Sequence, residues 1–356
     1  MFEKKLSFSF EITQKILQRI SYIDTFKGKW SHLDKSDSRY LKELRQIATI
    51  ESIGSSTRIE GAMLTDKEVA ELIKKVNINS FKSRDEEEVV GYYDVLDLIL
   101  ENAKEVELSE NHIKQLHSIL LKYSSKDNRH KGEYKSLSNK VVANYPDGSQ
   151  RIIFNTTEPH LTVKEMSELM EWTNNQLVKK DIHPLIVIGH WVYEFLSIHP
   201  FQDGNGRLSR LITTLLLIQN EYDFAQYISL EHIIEQRKTD YYQALMNAQQ
   251  FRYSEQEIVS DWMIFFLESI QILIERLEVK MNQNLEKTHY LNIRQKEILA
   301  LFKIDKSLKI SDIALKLTLY SVNTLKKDIQ YLLIEDYIQK MGLGKATVYW
   351  LKKENN

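Results

Sequence analysis

The sequence predicts a mostly α-helical protein, and three observations support this fold class. Glycine and proline, the residues that interrupt helices, number only 11 and 4 among 356 residues. Apolar residues recur at spacings of three and four, as in Val69, Leu72 and Ile73. Helix N-cap patterns occur at four places, namely Thr65 with Glu68, Ser83 with Glu86, Thr162 with Glu165, and Ser254 with Glu257.

The composition excludes several classes of protein. Hydrophobic residues make up 42% and charged residues 28% of the chain, which is the balance of a globular protein. The absence of cysteine excludes a disulfide scaffold, a thiol nucleophile and cysteine-ligated metal sites. The first residues lack the apolar core of a signal peptide, and the apolar run at 211–218 is far shorter than a membrane span. We therefore expect a cytoplasmic protein with no membrane partner.

Irregular structure is concentrated in the middle of the chain. All four prolines lie between Pro146 and Pro200. The same stretch contains two β-type runs joined by Asp147-Gly148, a dipeptide that favours a tight turn. The pattern predicts a β-hairpin from about Ser138 to Phe154, with helices on both sides.

The end of the chain differs from the rest in net charge and in its pattern of predicted elements. Residues 291–356 carry a net charge of +5, whereas the preceding 290 residues carry −7. Three short helical patterns are followed by an alternating segment with Gly342 and Gly344 as its turn, an order that predicts a winged helix over 288–356. Two alternatives stay open for this segment: it binds DNA through a third helix that starts at Ser321, or it serves protein contact, including packing in a homodimer.

The segment IHPFQDGNGRLSRL, residues 198–211, concentrates the chemistry. Gly204 and Gly206 permit a turn whose N–H groups converge on an anion, and Asn205 adds a side-chain amide. Arg207 and Arg210 are three residues apart, so both can point at the same anion.

Two further residues of this segment suit nucleotide chemistry. Asp203 lies beside the predicted anion site, where a carboxylate can hold Mg²⁺ together with substrate phosphates. His199 has a side chain that titrates near neutral pH and is the natural general base. The residues therefore predict a site for a magnesium nucleotide.

The string HPFQDGNGRLSR resembles the signature of Fic-domain proteins, HxFx(D/E)GNGRxxR, at every defined position. The resemblance implies a helical core with a β-hairpin flap, and transfer of AMP from ATP to a Ser, Thr or Tyr hydroxyl. The acceptor would be a target protein or the chain itself.

The resemblance also implies roles for individual residues. His199 would deprotonate the hydroxyl, Asp203 would hold Mg²⁺ on the α- and β-phosphates, and Gly204, Asn205 and Gly206 would form the anion hole. Arg207 would bind near the β-phosphate and Arg210 at the γ-phosphate. The hairpin would pair with the target through the strand that contains Lys140, Val141 and Val142. TDYYQALMNAQQ resembles the segment that lines the adenine pocket, which nominates Tyr241 and Tyr242, with Gln249 as a third candidate.

The upstream segment SSTRIEG resembles the inhibitory motif (S/T)xxxE(G/N) of many Fic proteins, with Ser56, Glu60 and Gly61 at the defined positions. A carboxylate paired with Arg210 would occupy the place of the γ-phosphate and repel it. Glu60 is therefore expected to inhibit the enzyme.

These observations predict three parts: a helical N-terminal region at 1–105, a Fic core at 106–285, and the winged helix at 288–356. The leading hypothesis is an autoinhibited AMP transferase. The alternatives are transfer of phosphate, UMP or phosphocholine by the same fold, removal of AMP, or a DNA-binding regulator whose Fic core senses a nucleotide.

Overall fold

The computed structural model describes residues 2–33, 39–75, 81–124, 126–144, 150–289, 291–335, 337–342 and 344–352. The chain divides into two compact units, Met1–Glu278 and Val279–Asn356. The predicted boundary near residue 105 would lie within the first unit, and it stays a prediction.

Helices make up most of the first unit, as the sequence predicted. Before the hairpin lie α1 (Phe2–Lys5), α2 (Phe10–Ser31), α3 (Arg39–Ile59), α4 (Asp66–Lys74), α5 (Arg84–Asn102) and α6 (Glu110–Leu120). After it come α7 (Pro159–Lys179), α8 (Pro184–Ile198), α9 (Asn205–Gln219), a 3₁₀ turn (Asp223–Gln226), α10 (Leu230–Gln236) and α11 (Lys238–Gln249). The next helix, α12 (Ser260–His289), begins in the first unit and ends in the second. No helix in the described ranges is both long and apolar enough to cross a membrane.

Two of the four predicted helix starts are confirmed. Thr65 and Ser83 are the N-caps of α4 and α5, and each side chain accepts a hydrogen bond from the third residue of its helix. The predictions at Thr162 and Ser254 are wrong. Thr162 lies inside α7, because that helix begins earlier at a proline preceded by Glu158. Ser254 lies in a turn, six residues before α12 begins.

Helices α8 and α9 form the centre of the first unit. Every residue of α8 from Val187 to Ile198 is buried, and so is every residue of α9 from Arg207 to Ile218. A helix buried on all sides belongs in the middle of a bundle, and α8 packs between α7 and α9. The loop that joins α8 to α9 is consequently fixed at both ends by the best-packed part of the molecule.

The predicted hairpin is present as two antiparallel strands, β1 (Lys140–Asn144) and β2 (Gln150–Asn155). The register shifts between Val141 and Val142, where one strand bulges. The predicted turn at Asp147-Gly148 lies outside the described residues.

The second unit contains the helices and the hairpin predicted for the end of the chain. Its elements are α13 (Ile293–Ile304), β3 (Leu308–Lys309), α14 (Ile310–Lys316), α15 (Val322–Ile334), β4 (Ile338–Met341) and β5 (Val348–Leu351). The strands form an antiparallel sheet in the order β3-β5-β4, and Ser321 caps α15. The strand β3 was not predicted, because two residues carry no periodic pattern. The assignment of the unit as a winged-helix domain stays a prediction.

Candidate active site

The GNG motif forms the loop between α8 and α9 and the first turn of α9. His199 ends α8 in a left-handed conformation, with φ of 52° and ψ of 59°, and its N–H donates to the carbonyl of Phe195. Gly204 is the N-cap of α9 at φ of 79°. The left-handed conformation is unfavourable by about 1–2 kcal/mol for a residue that has a Cβ, so neighbouring groups must hold His199 in place.

The imidazole of His199 is arranged to accept a proton. Its Nδ1 lies 3.3 Å from the carbonyl oxygen of Leu196. Because a carbonyl only accepts, Nδ1 carries the hydrogen and Nε2 keeps its lone pair. Burial, and after it the charge of Lys135, lower the pKa of His199 to about 4. The ring is therefore neutral at pH 7.

Asn205 pins the loop from inside. Its Oδ1 accepts from the N–H of Phe201 at 2.8 Å, and its Nδ2 donates to the carbonyl of the same residue at 2.7 Å. The side-chain amide, predicted to add to the anion site, is thus engaged with the loop. Phe201 is fully buried.

His117 on α6 supports the same loop, and sequence reasoning missed it. The Nδ1 atom of His117 accepts from the N–H of Gly132 at 2.9 Å, so Nε2 carries the hydrogen and donates to the carbonyl of Asp203 at 3.0 Å. The ring stacks on Phe201 with centroids 3.8 Å apart. A single histidine on an amphipathic helix gives no local signal of this role.

Asp203 is held by cations on both carboxylate oxygens. Its Oδ1 accepts from the N–H of Gly204 at 2.7 Å and from Arg207 Nη2 at 3.3 Å, and its Oδ2 accepts from Arg84 Nη2 at 3.0 Å. Burial alone would raise the pKa of Asp203, but Arg207, the N–H of Gly204 and Arg84 together lower it below the ordinary value. The carboxyl group is therefore ionised at neutral pH.

Arg207 differs from its predicted place. The side chain is buried, with Nη1 lying 3.1 Å from Glu88 Oε2 and Nη2 directed at Asp203. Arg207 is not among the residues that line the cavity described below. Arg207 therefore pairs with Glu88 and Asp203, and its predicted role near the β-phosphate stays a prediction.

Arg210 is paired with the segment that resembles the inhibitory motif. Its Nε donates to the hydroxyl of Ser56 at 2.8 Å, and its Nη2 donates to the carbonyl of Ser56 at 2.9 Å and to Glu60 Oε1 at 2.7 Å. A Cβ added at Gly206 would lie 2.2 Å from Glu60 Oε1. The carboxylate of Glu60 therefore lies directly against the backbone of the motif, and Gly61 turns the chain away at φ of 112°.

Side chains that were not predicted anchor the end of α3. The guanidinium of Arg58 binds both carboxylate oxygens of Glu235, with Nε–Oε1 at 2.7 Å and Nη2–Oε2 at 3.0 Å. Its Nη1 donates to Asp66 at 2.8 Å. Lys238 donates to the carbonyl of Ile59 at 2.8 Å. Glu60, the next residue, is held in place by these contacts.

A cavity of about 270 Å³ brings most of the predicted site residues together. The loop contributes His199, Asp203, Gly204, Asn205 and Gly206. The walls are Glu60 with Arg210, Lys140 with Val141 from β1, and Tyr241 with Tyr242 from α11. The side chain of Val142, the third residue predicted on this strand, lies outside the part of the chain that the structure describes.

The two tyrosines have both core and cavity contacts. Their rings meet edge to face with centroids 5.2 Å apart, and Tyr241 also packs against Trp262. Both are buried and both line the cavity. Gln249 does not line this cavity, and its amide donates to the hydroxyl of Ser197, so its nomination stays a prediction that the present contacts do not support.

The residues present fit a magnesium ion that binds together with phosphate. Asp203 presents a carboxylate with 35% of its side chain exposed at the cavity wall. No cluster of three or more metal-binding side chains exists in the described ranges of the chain. A single carboxylate suits Mg²⁺, which takes its other ligands from phosphate oxygens and water.

Comparison with known proteins finds a family match in the middle of the chain. Residues 107–217 match the family model described as the Fic/DOC family. The chain is 26% identical to protein adenylyltransferase Fic of Drosophila persimilis over 211 residues, which are 58% of this chain and 38% of that protein. It is 34% identical over 74 residues, 21% of this chain, to a Fido domain-containing protein of Dictyostelium discoideum, of which the match covers 52%. The chain spans about two fifths of the length of the Drosophila relatives.

Solved structures agree in fold. A Fic family protein from Desulfovibrio desulfuricans G20 superposes with a TM-score of 0.64 at 20% identity, over 99% of both chains. Fic-1 from C. elegans, residues 134–508, gives 0.60 at 18% identity, over 77% of this chain and 74% of that one. Residues 107–217 are therefore similar to the Fic/DOC family by their match to the family model, and the likeness to the solved structures shows the fold.

Proposed function

We propose that this chain is a protein AMP transferase that moves AMP from ATP to a Ser, Thr or Tyr hydroxyl of a target protein or of itself, and that Glu60 inhibits it. The observation that carries the proposal is the composition of one cavity. A neutral histidine, the backbone of a glycine-rich helix start and a buried arginine line it together, beside the strand β1.

The proposed reaction begins with proton transfer to His199. The free Nε2 lone pair accepts the proton of the target hydroxyl as the oxygen attacks the α-phosphorus of ATP. A new phosphorus–oxygen bond forms to the target, and the bond between the α-phosphorus and the bridging oxygen breaks. Pyrophosphate leaves with the electron pair of that bond. The products are the AMP-modified target and pyrophosphate, with the proton on His199.

Other residues would bind and orient the nucleotide. The N–H groups of Asn205 and Gly206 begin α9 and favour phosphate oxygens, and the N–H of Gly204 would join them on leaving Asp203 Oδ1. Arg210 would bind the terminal phosphate, and Tyr241 and Tyr242 would contact the base. Asp203 would hold Mg²⁺, which when bound neutralises phosphate charge. The edge of β1 would pair with an extended target segment and so bring its hydroxyl to His199.

The proposed inhibition follows from competition for Arg210. Glu60 Oε1 lies 2.7 Å from Arg210 Nη2, which is the contact that a phosphate oxygen would need. A carboxylate at that position repels the phosphate as well as replacing it. ATP would then bind weakly or with its α-phosphorus misaligned for attack.

The experiment compares wild type, Glu60→Gly and His199→Ala with Mg²⁺ and ATP labelled at either the α- or the γ-phosphate. Protein label from α-labelled ATP, stronger in Glu60→Gly and lost in His199→Ala, is the expected result. If the protein is labelled only by γ-labelled ATP, the reaction is transfer of phosphate and not of AMP. A cell lysate supplies targets, and the purified chain alone tests modification of itself.

Absence of label in every variant would contradict the proposal. A gel shift at low salt with DNA would then test the regulator alternative, because phosphate-driven affinity is greatest there. Loss of label from a premodified target, dependent on Glu60, would instead indicate removal of AMP.

A further inference from the structure

Lys135 is buried in the loop between α6 and β1, next to the proposed general base. Its side chain is enclosed, and its Nζ donates three hydrogen bonds: to Asn139 Oδ1 at 2.9 Å, to Thr156 Oγ1 at 2.8 Å and to the carbonyl of Ile198 at 2.8 Å. An ammonium group has three donors. All three are therefore used, and one of them reaches the residue directly before His199.

Lys135 and Asn139 together hold the carbonyl groups on both sides of His199. The backbone N–H of Lys135 donates to the carbonyl of Pro200 at 2.8 Å. The Nδ2 of Asn139 donates to the carbonyl of Phe201 at 2.8 Å. Together with the bond from Lys135 Nζ to Ile198, these contacts hold the carbonyl groups of residues 198, 200 and 201. They therefore stabilise the left-handed conformation of His199 from both sides.

The charge of Lys135 is unusual because no counter-ion contacts it. Among the described residues, no carboxylate oxygen lies within 4 Å of its Nζ, and Glu158 and Glu165 act from farther away. Burial, the largest influence, lowers the pKa of Lys135 to about 8. A buried ammonium held by neutral oxygens is costly, whereas an uncharged side chain could fill the same volume.

We propose that Lys135 is a positioning residue, which holds the catalytic loop around His199 and ties it to the base of β1 through Asn139. The proposal rests on the proposed function for its kinetic consequence, but not for its structural one. Asn139 precedes β1 directly, and its Oδ1 and Nδ2 connect Lys135 with the loop. The base and the strand beside it are thereby fixed to each other.

The charge of Lys135 adds an electrostatic effect to this geometry. The charged groups that act on His199 are Lys135 from the α6–β1 loop, Glu60 after α3 and Asp203 from its own loop, with Lys140 on the same cavity. Lys135 disfavours protonation of the imidazole, whereas Glu60 and Asp203 favour it. Removing the ammonium must therefore raise the pKa of His199.

The first test measures the pKa of His199 by NMR in protein labelled on histidine, with His199→Ala to assign the signal. Lys135→Met is expected to raise that pKa by roughly half a unit or more. Lys135→Arg keeps the charge and should leave it nearly unchanged. Lys131→Met is the matched control, because Lys131 lies in the same loop but donates only to the carbonyl of Lys122.

The second test measures AMP transfer in the Glu60→Gly background. Lys135→Met should lower kcat by about tenfold, because a displaced base lowers the rate steeply. The Kd for ATP should change less than about twofold, since the nucleotide contacts lie on α9 and α11 rather than on Lys135. If Lys135→Met melts before assay temperature, Lys135→Gln, which keeps two of the donors, replaces it.

Two results would overturn the inference. One is a pKa of His199 in Lys135→Met and Lys135→Gln that matches the Lys131→Met control. The other is a loss of ATP affinity equal to the loss of kcat, which would indicate general damage to the fold. If no variant transfers AMP, the proposed function fails, but a raised pKa of His199 would still support the positioning role.

Discussion

Two charged residues that line the cavity, which we call its Arg210 end and its Asp203 end, are each paired with a residue of opposite charge. At one end Glu60 lies on Arg210, so a carboxylate covers the cation of the site. At the other end Arg84 lies on Asp203, so a guanidinium covers the carboxylate of the site. Both covering residues come from segments before the hairpin, Glu60 directly after α3 and Arg84 at the start of α5.

The difference lies in how each covering residue is anchored. Glu60 follows a helix end that is bound by Arg58 and Lys238, and its partner Arg210 is buried, so we expect the carboxylate to leave Arg210 only rarely. Arg84 is bound by Glu88 of its own helix, with 47% of its side chain exposed, so rotation of the side chain is enough. We therefore infer a strong restraint at the Arg210 end and a weak one at the Asp203 end.

The largest effect is expected from Glu60→Gly. Arg210 keeps its two bonds to Ser56, so the arginine stays in place while the competing charge is gone. AMP transfer from α-labelled ATP should rise at least about tenfold. Glu60→Gln, which keeps the shape but not the charge, should give an intermediate rate. Equal rates in wild type and both variants would show that the two ends do not differ as inferred.

A smaller effect is expected when the anchor of α3 is weakened. Glu235→Gln removes the charge that pairs with Arg58, while Asp66 still holds that arginine. The transfer rate should rise roughly threefold, as the helix end leaves its position more often. Glu101→Gln is the matched control, because Glu101 pairs with Arg45, which lies on α3 like Arg58 but far from its end.

The anchor prediction has a strict test in the double variant. Once Glu60 is replaced by glycine, a looser α3 has no carboxylate to release. Glu235→Gln should then add nothing to the rate of Glu60→Gly. An additive increase would mean that Glu235 acts on the site by another route.

At the Asp203 end, Arg84→Ala should strengthen metal binding modestly. An exposed ion pair is worth about 0.2–1 kcal/mol, so the Kd for Mn²⁺ with a non-hydrolysable ATP analogue should fall by a factor of about 1.4 to 5. Asp203 keeps Arg207 and the N–H of Gly204. Calorimetry provides the measurement, and Lys82→Ala, just before α5, is the control. A higher Kd in Arg84→Ala would mean that Arg84 helps to bind the metal nucleotide and does not compete with the metal for Asp203.

The sequence predicted the local part of the site well. His199 and Gly204 are close in the chain, and their left-handed conformations shape the loop between α8 and α9, whereas Gly206 lies inside α9, where Glu60 approaches its backbone closely. The pairing of Glu60 with Arg210 was expected from resemblance alone, because 150 positions separate them. Nothing in a single sequence measures such a distance in space.

The remaining site residues could not be predicted, for two physical reasons. Arg84, His117 and Lys135 are ordinary residues in separate segments, and only packing brings them to the loop. Arg207 illustrates the second reason. The spacing predicted that Arg207 and Arg210 can point at one anion. In the structure Arg207 Nη2 instead lies near Asp203, four positions earlier, and Nη1 lies near Glu88. Local periodicity cannot rank such competing partners.

The smallest expected effect concerns pH, and it tests the proposed base, His199, which lines the same cavity. Burial first and Lys135 second lower the pKa of His199 to about 4, and a general base works only when unprotonated. With that pKa about 90% of the imidazole is neutral at pH 5, so kcat of Glu60→Gly should change less than about twofold between pH 8 and pH 5. An ordinary histidine, with a pKa near 6.5, would lose about thirtyfold over the same range. Asp203 stays ionised at pH 5 because Arg207 and Arg84 hold its pKa below the ordinary value, against the effect of burial. A rate that falls steeply below pH 6.5, while circular dichroism reports a folded protein, would contradict the depressed pKa of His199.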